Sequence, residues 1–148
     1  MTSSDTDRQR DRLVRDASVL LAREDADDDQ HEAARQLLAG DATLATLDLA
    51  FYQVGNVAVR AWRDGQAAGR LQGLVDAIAA DGGLVRVDEA LIAHAVRIAE
   101  TQGLSVYDAG YVAGAARAGA QLVSCDLRDL VSRDLAVTPR QAGNPGQS

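Results

Sequence analysis

Three aspartates stand where an apolar run ends or a helix begins. Asp16 closes Leu13-Val14-Arg15-Asp16, Asp108 lies in Ser105-Val106-Tyr107-Asp108-Ala109, and Asp126 closes Leu122-Val123-Ser124-Cys125-Asp126. They are so far apart in sequence that a site using all three has to be assembled by folding. Carboxylates gathered at the carboxyl ends of parallel strands, where α/β sheets hold their ligand crevices, repel one another unless a divalent cation or a proton lies between them. The chemistry to expect is therefore that of an acidic metal pocket.

The elements that must carry these acids follow from hydropathy and turn residues. The run at Leu13–Val14 passes directly into Ala17–Arg23 and reads as strand then helix. His31–Ala39 has helical spacing and stops at Gly40, and Thr43–Leu47 reads as a strand. Asp48 is placed to cap a helix whose apolar positions Phe51, Val54, Val57, Ala58, Ala61 and Trp62 form a buried stripe. A second helical stretch covers about 66–80, a strand Leu84–Val87, a helix Glu89–Thr101 capped by Asp88 and stopped by Gly103, and a further helix Tyr107–Ala118 opened by Ser105. Gln121–Ser124 reads as a strand, Leu127–Ser132 as a short helix and Leu135–Thr138 as a last edge strand. Alternating strands and helices imply an α/β fold, a three-layer α/β/α sandwich on a mainly parallel sheet.

At 148 residues the chain fits one domain, expected over 12–140 between a frayed start at 1–11 and a flexible tail at 141–148. Only five residues are aromatic, so Ala, Val and Leu must build the core. All fifteen basic residues are arginine. The absence of lysine excludes a Walker-type phosphate loop, a Schiff base and a receiver domain with its lysine. A haloacid-dehalogenase-type hydrolase shares strand-end acids, but Ser18 stands where it needs a second aspartate. The net charge of −7 argues against steering the whole surface toward nucleic acid, an objection that weakens in concentrated salt. Salt adaptation and a GC-rich genome explain the missing lysine equally well. The single cysteine, Cys125, rules out an intramolecular disulfide and reads as packing. No apolar stretch approaches the ~18 residues of a membrane span, and no signal-peptide core is present, so a cytoplasmic protein is expected.

Four segments in order, Leu13 to Leu21, Asp48 to Val57, Tyr107 to Val112 and Leu122 to Asp126, resemble the PIN-domain family, specifically VapC-like toxins. The resemblance spans roughly Leu13 to Pro139. It implies a compact α/β/α ribonuclease that hydrolyses RNA phosphodiester bonds with Mg2+ or Mn2+, acts as the toxin of a toxin-antitoxin pair, forms a homodimer and is covered by a cognate antitoxin. By the same resemblance Asp16, Asp108 and Asp126 ligate the metal. Ser124 takes the place of a Thr or Ser that hydrogen-bonds within the site, and Asn56 links helix to site. Hard cations suit such carboxylate oxygens.

Gln53 departs from the pattern, since the family usually has a glutamate there. Asp48 lies about 140° round the helix from it and does not substitute. Three readings stay open: an enzyme working with three acids and weaker metal affinity, a degenerate module that binds RNA or a protein partner without cutting, and a chain deliberately disabled by a Glu-to-Gln change. Among the remaining polar residues, Arg15 and Arg128 are candidates for phosphate contacts, with surface ion pairs as the equal alternative. Asp129, one turn after Asp126, is placed to assist in the pocket but reads first as an exposed helix carboxylate, His31 and His94 read as bland, Asp25 and Asp27 to Asp29 as a solvated loop, and Tyr107 with Tyr111 as a packing pair on one helix face.

Overall fold

The computed structural model describes residues 12–40 and 43–143. The start expected to fray at 1–11 lies outside the described residues, as does 144–148 of the tail expected at 141–148, whereas 141–143 complete a short helix. Four parallel strands form the sheet: β1 (Arg12–Arg15), β2 (Thr43–Leu47), β3 (Leu84–Val85) and β4 (Gln121–Val123). Their order across the sheet is β3-β2-β1-β4. Leu13 pairs with Leu44 on one side and Gln121 on the other, and Val14 with Ala45 and Leu122.

The helices are α1 (Ala17–Glu24), α2 (His31–Ala39), α3 (Leu49–Arg60), α4 (Gly65–Ala80), α5 (Glu89–Gln102), α6 (Val106–Ala118) and the short α7 (Pro139–Gly143). They cover both faces because neighbouring strand residues point to opposite sides. Leu13 joins Val19 and Ala22 of α1 and Ala34 and Leu37 of α2, whereas Val14 joins Tyr111 and Ala115 of α6. A third apolar cluster packs Leu20 against Ala50, Val54 and Ala58 of α3 and Leu71, Val75 and Ile78 of α4. This is the three-layer α/β sandwich read from the sequence. Small residues let the layers approach. A Cβ at Gly114 would stand 2.6 Å from Leu47 Cδ1, so glycine there lets α6 lie close on β2.

Several helix N-termini follow side-chain capping. Asp64 accepts from Gln66 and Ala67, Asp88 from Leu91, and Ser105 Oγ from Asp108. Gly103 ends α5 in the left-handed region at φ 69°. Arg117 of α6 grips the Asp88 carboxylate through two nitrogens, at 2.8 and 2.9 Å, and holds that carboxyl well below its usual range, at about 2. Asp48 precedes α3 but makes no capping bond. Its carboxylate instead accepts from the Val87 N–H, which ends β3 at Val85, two residues short of the expected strand.

Three further expectations are corrected. Residues 127–130 form turns, followed by a 3-10 turn at Val131–Arg133 rather than a helix from Leu127. The expected strand at Leu135–Thr138 contributes one parallel bridge, Val137 to Val123, because the chain turns into α7 at Pro139. Arg15 is not available to phosphate, since it is completely buried. Its Nη1 donates to the Leu13 carbonyl at 3.3 Å, but Nε and Nη2 have no partner among the described residues, and burial lowers its pKa to about 10.

A buried cation with two idle donors costs stability. Arg15→Met, which keeps chain length and removes the charge, is expected to stabilise the fold by about 2 kcal/mol. Urea unfolding of the two proteins checks this, and a destabilised variant would show that the guanidinium has a partner worth more than its desolvation. Among the described residues no helix is long and apolar enough to cross a membrane.

Candidate functional site

The chain runs from β1 toward β2 and β3 on one side and returns to β4 on the other, so the order reverses at the gap between β1 and β4. Ligand crevices form outside the carboxyl ends of strands at such a switch point. Asp16 stands there, its N–H donating to the Val123 carbonyl of β4 at 3.2 Å. Beyond β4 the chain passes through Ser124 to Asp126, while the first turn of α6 brings Asp108 to the same opening. Asp16, Ser18, Gln53, Asn56, Asp108, Tyr111 and Asp126 line one cavity of about 300 Å³.

Asp16 is the buried acid. It caps α1, one carboxylate oxygen accepting from the Ser18 and Val19 backbone N–H groups and from the Ser18 hydroxyl. Ser18 Oγ also lies 3.3 Å from Ser124 Oγ and accepts from the Cys125 N–H at 2.9 Å. Ser124 Oγ in turn accepts from the Asp126 N–H at 3.0 Å. Two hydroxyls thus tie the end of β1 to the end of β4. Burial raises the Asp16 pKa to about 6 despite hydrogen bonds from Ser124, Ser18 and Val19, and the nearby Asp108 charge adds to the rise. Asp108 is also raised, first by burial and then by the charges of Asp126 and Asp129.

The closest acidic group is Asp108, Asp126 and Asp129, each half-buried and each offering a carboxylate oxygen within 4.8 Å of the others. Three hard anionic oxygens, with Asp16 in the adjoining cavity, fit Mg2+ or Mn2+ far better than a soft metal. Asp129 gets there because its N–H bonds to Asp126 Oδ1 at 2.9 Å, folding the turn back on itself. Gln53 reaches the cavity from α3, and its Oε1 accepts the Tyr111 hydroxyl at 2.7 Å.

The PIN domain family matches residues 13–133, which carry every one of these elements from β1 to the 3-10 turn. The chain belongs to the PIN domain family. Other PIN-like folds superpose on it well. A toxin-antitoxin complex from Klebsiella pneumoniae is similar at a TM-score of 0.64 and 16% identity, covering 86% of this chain and 97% of that one. A protein from Pyrobaculum aerophilum gives 0.65 at 24% identity, with 91% and 88% covered. VapC20 of Mycobacterium tuberculosis, described as a toxin that cleaves the sarcin-ricin loop, gives 0.61 at 22% identity, with 76% and 86% covered. No curated protein sequence matches the chain.

Within this PIN domain the residues singled out from sequence separate into three groups. Asp16, Asp108, Asp126, Gln53 and Asn56 line the cavity, and Ser124 lies buried beneath it. Asn56 makes no hydrogen bond to a described residue and is exposed. Arg128 is 94% exposed, with its Nε 4.0 Å from Asp129. Cys125 is half-buried, its thiol pushed up to about 12 mainly by burial, which suits packing rather than reactivity. His31 Nδ1 is tied to the Ala22 carbonyl at 2.8 Å, and His94 lies on the exposed side of α5.

Ser18 and Tyr111 are the site residues that sequence reasoning passed over, and Asp129 is one for which the pocket was only the second reading. The signal for Asp129 was its place three residues after Asp126, the offset of an aspartate turn as much as of a helix. Tyr111 is buried against β1, while Tyr107 is 60% exposed, so the two do not share a face in use.

The Asp16 shift has a consequence for stability. Its folded pKa of about 6 lies above the ordinary 3.8, so the folded state holds the proton more tightly between these values. The associated stability is present below about pH 4 and is lost as pH rises through 6, a difference of about 3 kcal/mol. In chelator, Asp16→Asn is expected to stabilise the protein by that amount at pH 7.5 and hardly at all at pH 4. Thermal melts at the two pH values check it; equal effects at both would show that Asp16 is ionised without penalty.

Proposed function

We propose that this PIN domain is a metal-dependent endoribonuclease that hydrolyses RNA phosphodiester bonds and serves as the toxin of a toxin-antitoxin pair in the cytoplasm. The observation that carries the reading is that Asp16, Asp108 and Asp126 line one cavity at the switch point of the sheet, with Asp129 clustered against the last two. The three clustered carboxylates would hold Mg2+ or Mn2+, with Asp16 as the further anionic oxygen donor. Bound there, the cation supplies Lewis-acid stabilisation of phosphoryl charge and acidifies a water. The Ser18 and Ser124 hydroxyls fix the Asp16 carboxylate toward the cavity. The acids on its walls would repel a bare phosphate, so binding of the strand is expected to require the metal.

The structural neighbour from Klebsiella pneumoniae is described as a toxin-antitoxin complex, which favours an antitoxin partner for this chain as well. A homodimer belongs to the same reading. An apolar groove of about 680 Å³ lies between α3, α5 and α6, with Tyr52, Ile92, Val106 and Tyr107 exposed along it. Apolar patches of this kind mark contact surfaces. Light scattering is expected to give twice the chain mass, and a monomer at micromolar concentration would remove the dimer from the proposal.

The test of function is cleavage of a mixed single-stranded RNA pool with Mn2+ and with chelator. Cleavage that needs the metal supports the nuclease. RNA binding without cleavage selects the degenerate module that Gln53 suggests, and neither binding nor cleavage leaves the PIN fold to another role.

A further inference from the structure

Gln53 stands where the resemblance leads one to expect an acid, and the structure shows which end of its amide is committed. The Tyr111 hydroxyl has a single proton and donates it to Gln53 Oε1 at 2.7 Å. Turning the amide over would set an N–H2 against the phenol and take away the acceptor that its proton has at Gln53. Tyr111 is almost wholly buried and held between β1 and α6, so it cannot swing away from this contact.

Oε1 holds the phenol proton on one of its lone pairs, and the other polar atom of Gln53 is Nε2. It makes no hydrogen bond to a described residue, and the side chain lines the acidic cavity. That wall therefore presents a neutral donor among carboxylates. A carbonyl oxygen would suit the cation; an N–H2 suits an anionic oxygen.

We propose that Tyr111 fixes Gln53 so that its N–H2 faces the cavity and donates to a non-bridging phosphate oxygen of a bound nucleic-acid strand, making Gln53 a strand-binding residue and not a metal ligand. Tyr111 is the positioning residue, acting through Gln53. The inference rests on the nuclease reading. It adds to it that the position is adapted to hold the strand, and that the charge lost there is lost from the metal site without removing a ligand.

The experiment has a metal arm and a strand arm, both read as equilibrium binding. In the first, Mn2+ alone is titrated into the full chain and into Gln53→Met, which keeps the length and removes both polar atoms. Affinities are expected to agree within about twofold, and Gln53→Glu is expected to bind Mn2+ about tenfold more tightly by adding a carboxylate. A fall of about tenfold in Gln53→Met would make the carbonyl a metal ligand and overturn the proposal. In the second arm, a random 12-nucleotide single-stranded RNA is titrated in saturating Ca2+. Gln53→Met is expected to bind about tenfold more weakly, the loss of one hydrogen bond to a charged group. Tyr111→Phe, which frees the amide to rotate, is expected to lose several-fold while melting near the parent temperature. Unchanged strand binding by Gln53→Met would overturn the proposal while leaving the nuclease reading intact. Failure of the parent chain to bind RNA in metal overturns the nuclease reading and this inference with it.

Discussion

Asp108→Asn is expected to lower Mn2+-dependent RNA cleavage by about a thousandfold and to weaken Mn2+ binding by about a hundredfold, with no loss of fold. Asp108 shares carboxylate oxygens with Asp126 and Asp129 within 4.8 Å, so removing its charge takes away one of three anionic donors. Altering groups that merely orient a metal ligand costs ten- to a hundredfold, and loss of a ligand should cost more. The fold is spared for identifiable reasons. The capping bond at this position runs from the Asp108 backbone N–H to Ser105 Oγ and survives the change. Burial, and then the charges of Asp126 and Asp129, already push the Asp108 pKa upward, so the metal-free protein gains from losing that charge. Cleavage, Mn2+ titration and a melt in chelator separate these effects. Cleavage within threefold of the parent would remove Asp108 from the site.

Gly83→Ala is expected to cost about 4 kcal/mol, the largest effect on stability among the substitutions considered. A Cβ at this position would lie 2.0 Å from the Leu44 carbonyl oxygen, a backbone atom of β2 that cannot step aside as a side chain can. The same residue joins α4 to the sheet: its N–H donates to the Ile78 carbonyl and its carbonyl accepts from Thr46, both at 2.9 Å. Relieving the clash must therefore break the bonds that seat β3 on β2. A melting point lowered by about 10 °C is expected, and a variant that melts within 2 °C of the parent would mean that this turn yields cheaply. The site should feel it less, because β3 lies at the sheet edge farthest from β4.

The sequence exposed the framework of the site but not all of its walls. Asp16, Asp108 and Asp126 were legible because each terminates a recognisable apolar run, and the strand-helix alternation brings such ends to one side of a parallel sheet. The limits of α2 and β2 agree with the periodicity to the residue. Asp129 was legible as a site residue only as the second reading, because helical spacing and an aspartate turn share the same offset. Which one forms is decided by the bond from its N–H to Asp126. Tyr107 and Tyr111 are four apart, yet the first turn of α6 overhangs the sheet while the second lies on it. Position along the helix, which spacing does not encode, separates an exposed ring from a buried one. Arg15 was misplaced because closeness to Asp16 in sequence was given weight that strand geometry takes away, since Arg15 follows Leu13 onto the covered face.

The shortness of the outer strands carries a different consequence. β3 has two residues, and β4 has three, with the Val137 bridge against its outer side. Long unpaired edges are the templates on which chains add to one another strand by strand, and this sheet offers almost none. Association with another protein is left to side-chain packing on the helices, where it can be reversed by a competitor of better fit. A sheet trimmed in this way resists fibrillar assembly while leaving the helical surface open to contact.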